Sequence, residues 1–209
     1  MCLFCDIWAR RANPINVEDT IIEESESFYV KAALGQFVQG YVLINTKKHY
    51  PNYASIRDER LFDELNRLIN VVCEKLSQYS NNSFLIFEHG SLNTFCKSGS
   101  CIAKCIDHAH LHVIPTDVDI ETELKNEFDW LRINSLHELS MIRHMPYIFY
   151  QSNGRKYVFF IKKHIQSQFV RKILCEKMSI SNQWNWRTNP FAERIEEFLH
   201  EYDNVKILK

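Results

Sequence analysis

The stretch Asp107-His108-Ala109-His110-Leu111-His112-Val113-Ile114-Pro115 decides how this chain is read. Histidine alternates with Ala109, Leu111 and Val113, the period of two expected of a half-buried strand. The apolar set would face a core, and His108, His110 and His112 would line the other face. Three imidazoles in a row do little for a strand's stability, since each needs hydrogen-bond partners and titrates near neutral pH. A row of satisfied surface histidines is the plain reading. A site that binds a metal or attacks phosphorus is the sharper one.

The rest of the 209-residue chain is compatible with such a site. Hydrophobic residues make up 45% and aromatics 13%, enough to fill a sizeable core. The formal net charge of -1 argues against an extended nucleic-acid partner or a polybasic membrane surface, while a nucleotide needs only a few local donors. No apolar run approaches the length of a bilayer span, and no basic region followed by an apolar core opens the chain. A cytoplasmic location is therefore expected. Seven cysteines, an odd number, argue against a fully paired secreted scaffold. Cys73 and Cys175 sit in apolar helical patterns. Cys2 and Cys5 have the Cys-x-x-Cys spacing of a metal or redox pair, and Cys96, Cys101 and Cys105 cluster more loosely before the histidines.

Residues 20–24, 28–32, 40–44 and 84–87 read as strands, and the histidine strand comes fifth. Leu61, Leu65, Leu68, Ile69, Val72 and Leu76 recur at helical spacing after Ser55 or Asp58, either of which suits a cap. The expected fold class is α+β: about five antiparallel strands with one long helix on a face, over residues 1–118. Residues 119–209 read as an appended α/β extension packed on that core. In it, 121–132, 166–178 and 190–202 look helical, and 147–151 and 157–161 look like strands joined at an Asn153-Gly154 hairpin. A tail containing Trp184-Asn185-Trp186-Arg187 precedes the last helix.

The motif His-φ-His-φ-His-φ-φ, with φ apolar, is matched at every position from His108 to Ile114. Together with Cys2-Leu3-Phe4-Cys5-Asp6-Ile7, with His49 after the third strand, and with the order of strands and helix over residues 2–115, it resembles the histidine-triad (HIT) superfamily of nucleotide hydrolases and transferases. The resemblance implies chemistry at the α-phosphorus of a nucleotide. His110 would be the nucleophile, forming a nucleotidyl-histidine intermediate, with its other ring nitrogen held by a backbone carbonyl, that of His108. His112 would bind the non-bridging phosphate oxygens. Alternate residues of a strand lie about 6.6 Å apart, so His108 and His112 can flank His110 without crowding it. The resemblance also implies a structural Zn²⁺ held by Cys2, Cys5, His49 and His108, a complete tetrahedral set. One ion shared by all three triad histidines is disfavoured, because His108 to His112 spans about 13 Å. A homodimer paired through the first helix and a sheet edge is implied as well.

Departures from the family pattern matter. Where many members carry an amide and a hydroxyl before the triad, this chain has Lys104 and Cys105. Lys104 offers charge to a phosphate, and Cys105 is a poorer hydrogen-bond partner than serine. Asn93 and His89 are further candidates for phosphate contact, and each is also an ordinary loop residue. The resemblance places the base among apolar side chains, with Phe4, Ile7, Trp8, Phe28 and Ile44 the positional candidates, and gives its ribose an acid, Glu88 or Asp107. Lys156, Arg171, Arg187 and the tail tryptophans could wall the leaving group, Arg187 being the best placed to grip a phosphate with its guanidinium fork. The expected activity is hydrolysis of a nucleotidyl phosphoanhydride or phosphoramidate, releasing a nucleoside monophosphate. His112 favours this over transfer, since transferase branches commonly carry glutamine there. Nucleotidyl transfer to a phosphate or sugar phosphate, and a low-turnover nucleotide-binding module, are the alternatives.

Overall fold

A computed structural model of the chain describes residues 2–90 and 107–207. Eight strands form one sheet: β1 (Ile21–Glu24), β2 (Phe28–Ala32), β3 (Val42–Thr46), β4 (Phe84–Gly90), β5 (His110–Pro115), β6 (Asp129–Ile133), β7 (Tyr147–Ser152) and β8 (Arg155–Phe160). Their spatial order is β1-β2-β3-β5-β4-β7-β8-β6, and each described pairing is antiparallel. The first five strands are the ones read from sequence. Strands β7 and β8 continue their sheet, because β7 pairs with β4 from Leu85↔Ser152 to Gly90↔Tyr147. The β7–β8 turn is Asn153-Gly154, both at positive φ (49° and 73°), as a two-residue hairpin of that twist requires.

Among the described residues there are five α-helices: α1 (Leu3–Ala9), α2 (Arg60–Leu76), α3 (Glu121–Glu127), α4 (Phe169–Lys177) and α5 (Ala192–Ile207). Helix α2 buries Phe62, Leu65, Leu68, Ile69, Val72 and Leu76. Each such side chain contributes about 1.5–3 kcal/mol of burial energy before chain entropy is counted. Its stripe meets Val30, Ile44, Leu111 and Val113 on one face of the sheet, where Ile195, Phe198 and Tyr202 of α5 also pack. The opposite face is covered too. There Phe4 and Ile7 of α1, Leu124 of α3, and Val170 and Leu174 of α4 close over Tyr29, Leu43, Phe87 and Ile114.

The helix expected over residues 121–132 stops at Glu127. Phe128 turns to extended backbone (φ -134°, ψ 151°) and Asp129–Ile133 becomes the edge strand β6, in register with β8 from Asp129↔Phe160 to Ile133↔Lys156. Pairing with a distant strand overrides local helical preference here. Among the described residues no helix is long and apolar enough to cross a membrane.

Candidate active site

His110 and His112 project from β5 onto the face covered by α1, α3 and α4. His112 is the register partner of Leu43 on β3 and Phe87 on β4, both of that layer. Burial leaves the imidazoles 8% exposed at His110 and 1% at His108. His110 Nδ1 lies 2.6 Å from the backbone oxygen of His108. A carbonyl only accepts, so Nδ1 carries the proton and Nε2 presents its lone pair. This is the tautomer and the carbonyl partner that the sequence reading expects for a nucleophile. Burial lowers the affinity of His110 for a second proton, opposed by that same hydrogen bond. His112 is pushed well below the usual histidine range, first by burial and then by His110 and Arg171. Both rings are thus held neutral at pH 7.

His112 is fixed from two sides. Its ring lies parallel to Phe87 (centroids 4.2 Å apart, 2° between planes), and its Nδ1 meets the Tyr41 hydroxyl at 2.5 Å. Neither neighbour stood out in the sequence, where Tyr41 and Phe87 pass as ordinary strand residues.

His108 faces another way. Its Nε2 is 2.8 Å from the Thr46 carbonyl and therefore holds the proton, which leaves Nδ1 unprotonated. That atom lies 3.3 Å from Cys2 Sγ and 3.6 Å from Cys5 Sγ, and His49 Nδ1 lies 3.6 Å from Cys5 Sγ. A tetrahedral ion with metal–sulfur bonds of ~2.3 Å and metal–nitrogen bonds of ~2.0 Å would set sulfur and nitrogen about 3.5 Å apart. The observed spacings match. All four ligand atoms of Cys2, Cys5, His49 and His108 fall within 4.8 Å of one another, so the donor set suits a four-coordinate metal. Without a metal, burial and the Cys2 thiol push Cys5 up to about 11. A nearby cation would reverse that direction.

His110 and His112 open into a pocket that, with the open solvent at its mouth, encloses about 920 Å³. Phe4 and Ile7 give it an apolar wall, and His89, His110 and His112 line its floor. The extension supplies the facing wall through Gln168, Arg171, Trp186 and Arg187. Arg171 is 3% exposed and ties this wall to the loop after β2. Its guanidinium donates to the carbonyls of Leu34 (3.3 Å), Gly35 (2.9 Å) and Trp184 (2.9 Å). Gly35 permits the approach. It sits at φ +73°, and a Cβ there would lie 2.4 Å from Arg171 Nη2 and 2.7 Å from Trp186 Cβ. Gln168, in left-handed backbone at φ 62°, accepts from the Trp186 N–H at 3.1 Å and donates to Asn185 at 3.0 Å.

Of the expected contact residues, His89 and Arg187 line the pocket together with Phe4, Ile7 and Arg171. Burial and then His110 lower His89 to about 4. Asn93, Lys104 and Cys105 lie outside the described residues. Phe28 and Ile44 belong to the opposite layer, under α2, because their strand parity points them away from the triad. Trp8 stacks on Tyr29 (5.5 Å, 21°) rather than lining the pocket. Glu88 is turned away as well: it accepts from the Tyr53 N–H at 2.8 Å and from the Tyr147 hydroxyl, with burial pushing it up to about 8. The acid that does line the pocket is Asp19, beside Lys31 and Ala33. Lys31 had a legible signal in sequence, a cation inside the strand Phe28-Tyr29-Val30-Lys31-Ala32.

A family model described as the HIT domain matches residues 15–119, half of the chain. A search of curated proteins matched none. Solved structures that align include a hypothetical histidine triad nucleotide-binding protein from Sulfolobus tokodaii strain7 (23% identity, 56% of this chain and 71% of that one, TM-score 0.41). A HIT family hydrolase from Clostridium thermocellum aligns at 25% identity over 57% of this chain and 92% of its own, TM-score 0.41. A zinc-bound histidine triad family protein from Mycobacterium smegmatis aligns at 18% identity over 56% and 77%, TM-score 0.42. With the triad His108, His110 and His112 at and just before β5 and the HIT domain matched over half its length, the chain belongs to the HIT family.

Proposed function

We propose that this protein is a nucleotide hydrolase that cleaves at the α-phosphorus of a nucleotidyl phosphoanhydride or phosphoramidate through a nucleotidyl-His110 intermediate. The observation that carries the reading is the 2.6 Å contact between His110 Nδ1 and the His108 carbonyl inside the pocket. It leaves an unprotonated Nε2 as the available nucleophile at neutral pH. Attack by Nε2 forms the N–P bond as the bond from phosphorus to the leaving group breaks with its electron pair. Water then adds to phosphorus, the N–P bond breaks, and the nucleoside monophosphate leaves with Nε2 restored. His112, buttressed by Phe87 and Tyr41, offers its remaining nitrogen to the phosphoryl oxygens. His89 and Arg187, which share the pocket, are assigned to the substrate's phosphates, and Asn93, Lys104 and Cys105 to the leaving-group side.

Cys2, Cys5, His49 and His108 are assigned a structural Zn²⁺, which would pin α1 and the loop after β3 to the start of β5. The donor set is closed, so the ion carries no substrate position. Residues 119–209 are read as an extension that completes the pocket wall. A cytoplasmic homodimer completes the reading, expected in native mass spectrometry at twice the 24.9 kDa of the chain.

The test is direct. Incubate the protein with nucleoside 5′-phosphoramidates and dinucleoside polyphosphates, quench, and measure intact mass and products, with and without inorganic phosphate as acceptor. A nucleoside monophosphate as product in both conditions, with an adduct lost in His110→Ala, supports hydrolysis. A nucleotidylated acceptor, a nucleoside diphosphate where inorganic phosphate is the acceptor, would assign transfer instead, and absence of adduct and turnover would remove the enzyme reading.

A further inference from the structure

Lys31 is a cation where the strand pattern calls for an apolar side chain. It sits in β2, is 2% exposed, and lines the triad pocket. Its register partner on β3 is Leu43, whose partner on β5 is His112. Lys31 therefore stands on the triad's own face, two strands away, about 10 Å across the sheet.

An ammonium has three donors. Among the described residues one acceptor is met, the Ala32 carbonyl at 2.9 Å, and no carboxylate forms an ion pair with it. Asp19 and Glu18 act on it only at longer range, and burial pushes it down to about 8, so the charged form still predominates at neutral pH. Holding an ammonium out of water with one neutral partner is costly. A ribose hydroxyl or base carbonyl would return a single neutral hydrogen bond, which an asparagine could supply without that cost. An anion returns a charge-assisted bond in a poorly solvated site. The other buried cation of the pocket, Arg171, already serves three carbonyls. Lys31 shares its wall with Phe4, Ile7 and Leu43, apolar surface suited to a nucleoside, whereas Arg187 and Trp186 come from the extension.

We infer that Lys31 forms a subsite for a second anionic group on the substrate, a phosphate ester on the ribose of the nucleotide whose α-phosphorus faces His110. This rests on the nucleotide reading above and narrows it to a 2′- or 3′-phosphorylated nucleotide.

The experiment compares equilibrium binding of nucleoside 5′-monophosphates with that of the matching 2′,5′- and 3′,5′-bisphosphates, for the wild type and for Lys31→Met. The wild type is expected to bind one bisphosphate series at least tenfold more tightly. Lys31→Met should bring both series within twofold of the monophosphate while its melting temperature stays level or rises, since an apolar side chain replaces an unpaired buried charge. Lys31→Gln gives the same comparison if the methionine variant does not fold. Monophosphate binding without any bisphosphate preference overturns the subsite and leaves the nucleotide reading standing. A preference that survives both substitutions, or variants of lower melting temperature with unchanged preference, makes Lys31 structural and likewise overturns it. Failure of every nucleotide to bind, with no His110 adduct, removes both.

Discussion

Replacing Arg171 by methionine should unfasten the extension from the HIT core. The guanidinium donates to three backbone carbonyls belonging to two separate segments, Leu34 and Gly35 after β2 and Trp184 in the tail before α5. Hydrogen bonds from a charged donor contribute about 1.5–3 kcal/mol each, so the three together are large on a gross scale. Removing the cation also removes its desolvation cost, several kcal/mol for a buried ion. What remains is three carbonyls without a donor, and a net loss of about 3 kcal/mol is the reasonable sum. In a chain of this size that lowers the melting temperature by about 6–12 °C. Arg171→Lys keeps the charge without the fork and should recover less than half of the loss. Differential scanning calorimetry reads both, and substrate KM should rise as the Trp186 wall loosens. A methionine variant within 2 °C of the wild type, or full recovery by lysine, would refute the reasoning. The contrast with Lys31 is instructive: two buried cations line one pocket, and the one whose donors are satisfied inside the protein is the one whose removal should destabilise it.

Three further outcomes follow from particular contacts. Elemental analysis should find about one zinc per chain, lost together with thermal stability in Cys5→Ala or after treatment with a strong chelator; metal-free protein of unchanged stability would contradict the assignment of Cys2, Cys5, His49 and His108. Glu88, raised by burial to about 8 from a carboxylate's usual 4.5, binds its proton more tightly folded than unfolded. Its contribution is therefore fully present below pH ~4.5 and lost as pH rises through 8, at most ~5 kcal/mol at 1.36 kcal/mol per unit; urea titrations across that window should show the decline, and a flat profile would count against it. Gly35→Ala should cost about 2 kcal/mol in the same titrations, because a Cβ there meets Arg171 and Trp186 and the backbone stays left-handed.

The parts of the fold legible in sequence were those with one strong local period. Helix α2 announced itself through Leu65, Leu68, Ile69, Val72 and Leu76, and β5 through its alternating histidines. Residues 129–133 misled because Trp130 and Leu131 are about half exposed on the sheet's outermost strand. No buried face imposes a period of two there, and only pairing with β8 makes the segment a strand. The candidate site divides in the same way. His108, His110, Cys2, Cys5 and His49 were legible through the triad motif, the Cys-x-x-Cys spacing and the family resemblance they carry. Tyr41, Phe87, Asp19 and Lys31 reach the pocket through strand order, which sets β3 and β4 on either side of β5 and β2 one strand further out, and residue type alone does not disclose it. The same order turns Glu88 away from the pocket and sets Lys31 in its wall.

The central claim is that His110 Nε2 is the atom that attacks phosphorus. Rapid quench of the protein with a nucleoside 5′-phosphoramidate, followed by peptide mapping under alkaline conditions, tests it most directly. An acid-labile nucleotidyl group is expected on the peptide containing residues 108–112, localised to His110 and absent from His110→Ala, with nucleoside monophosphate appearing as the adduct decays. Turnover that proceeds at the wild-type rate in His110→Ala, or an adduct localised to His112 or His89, would contradict it.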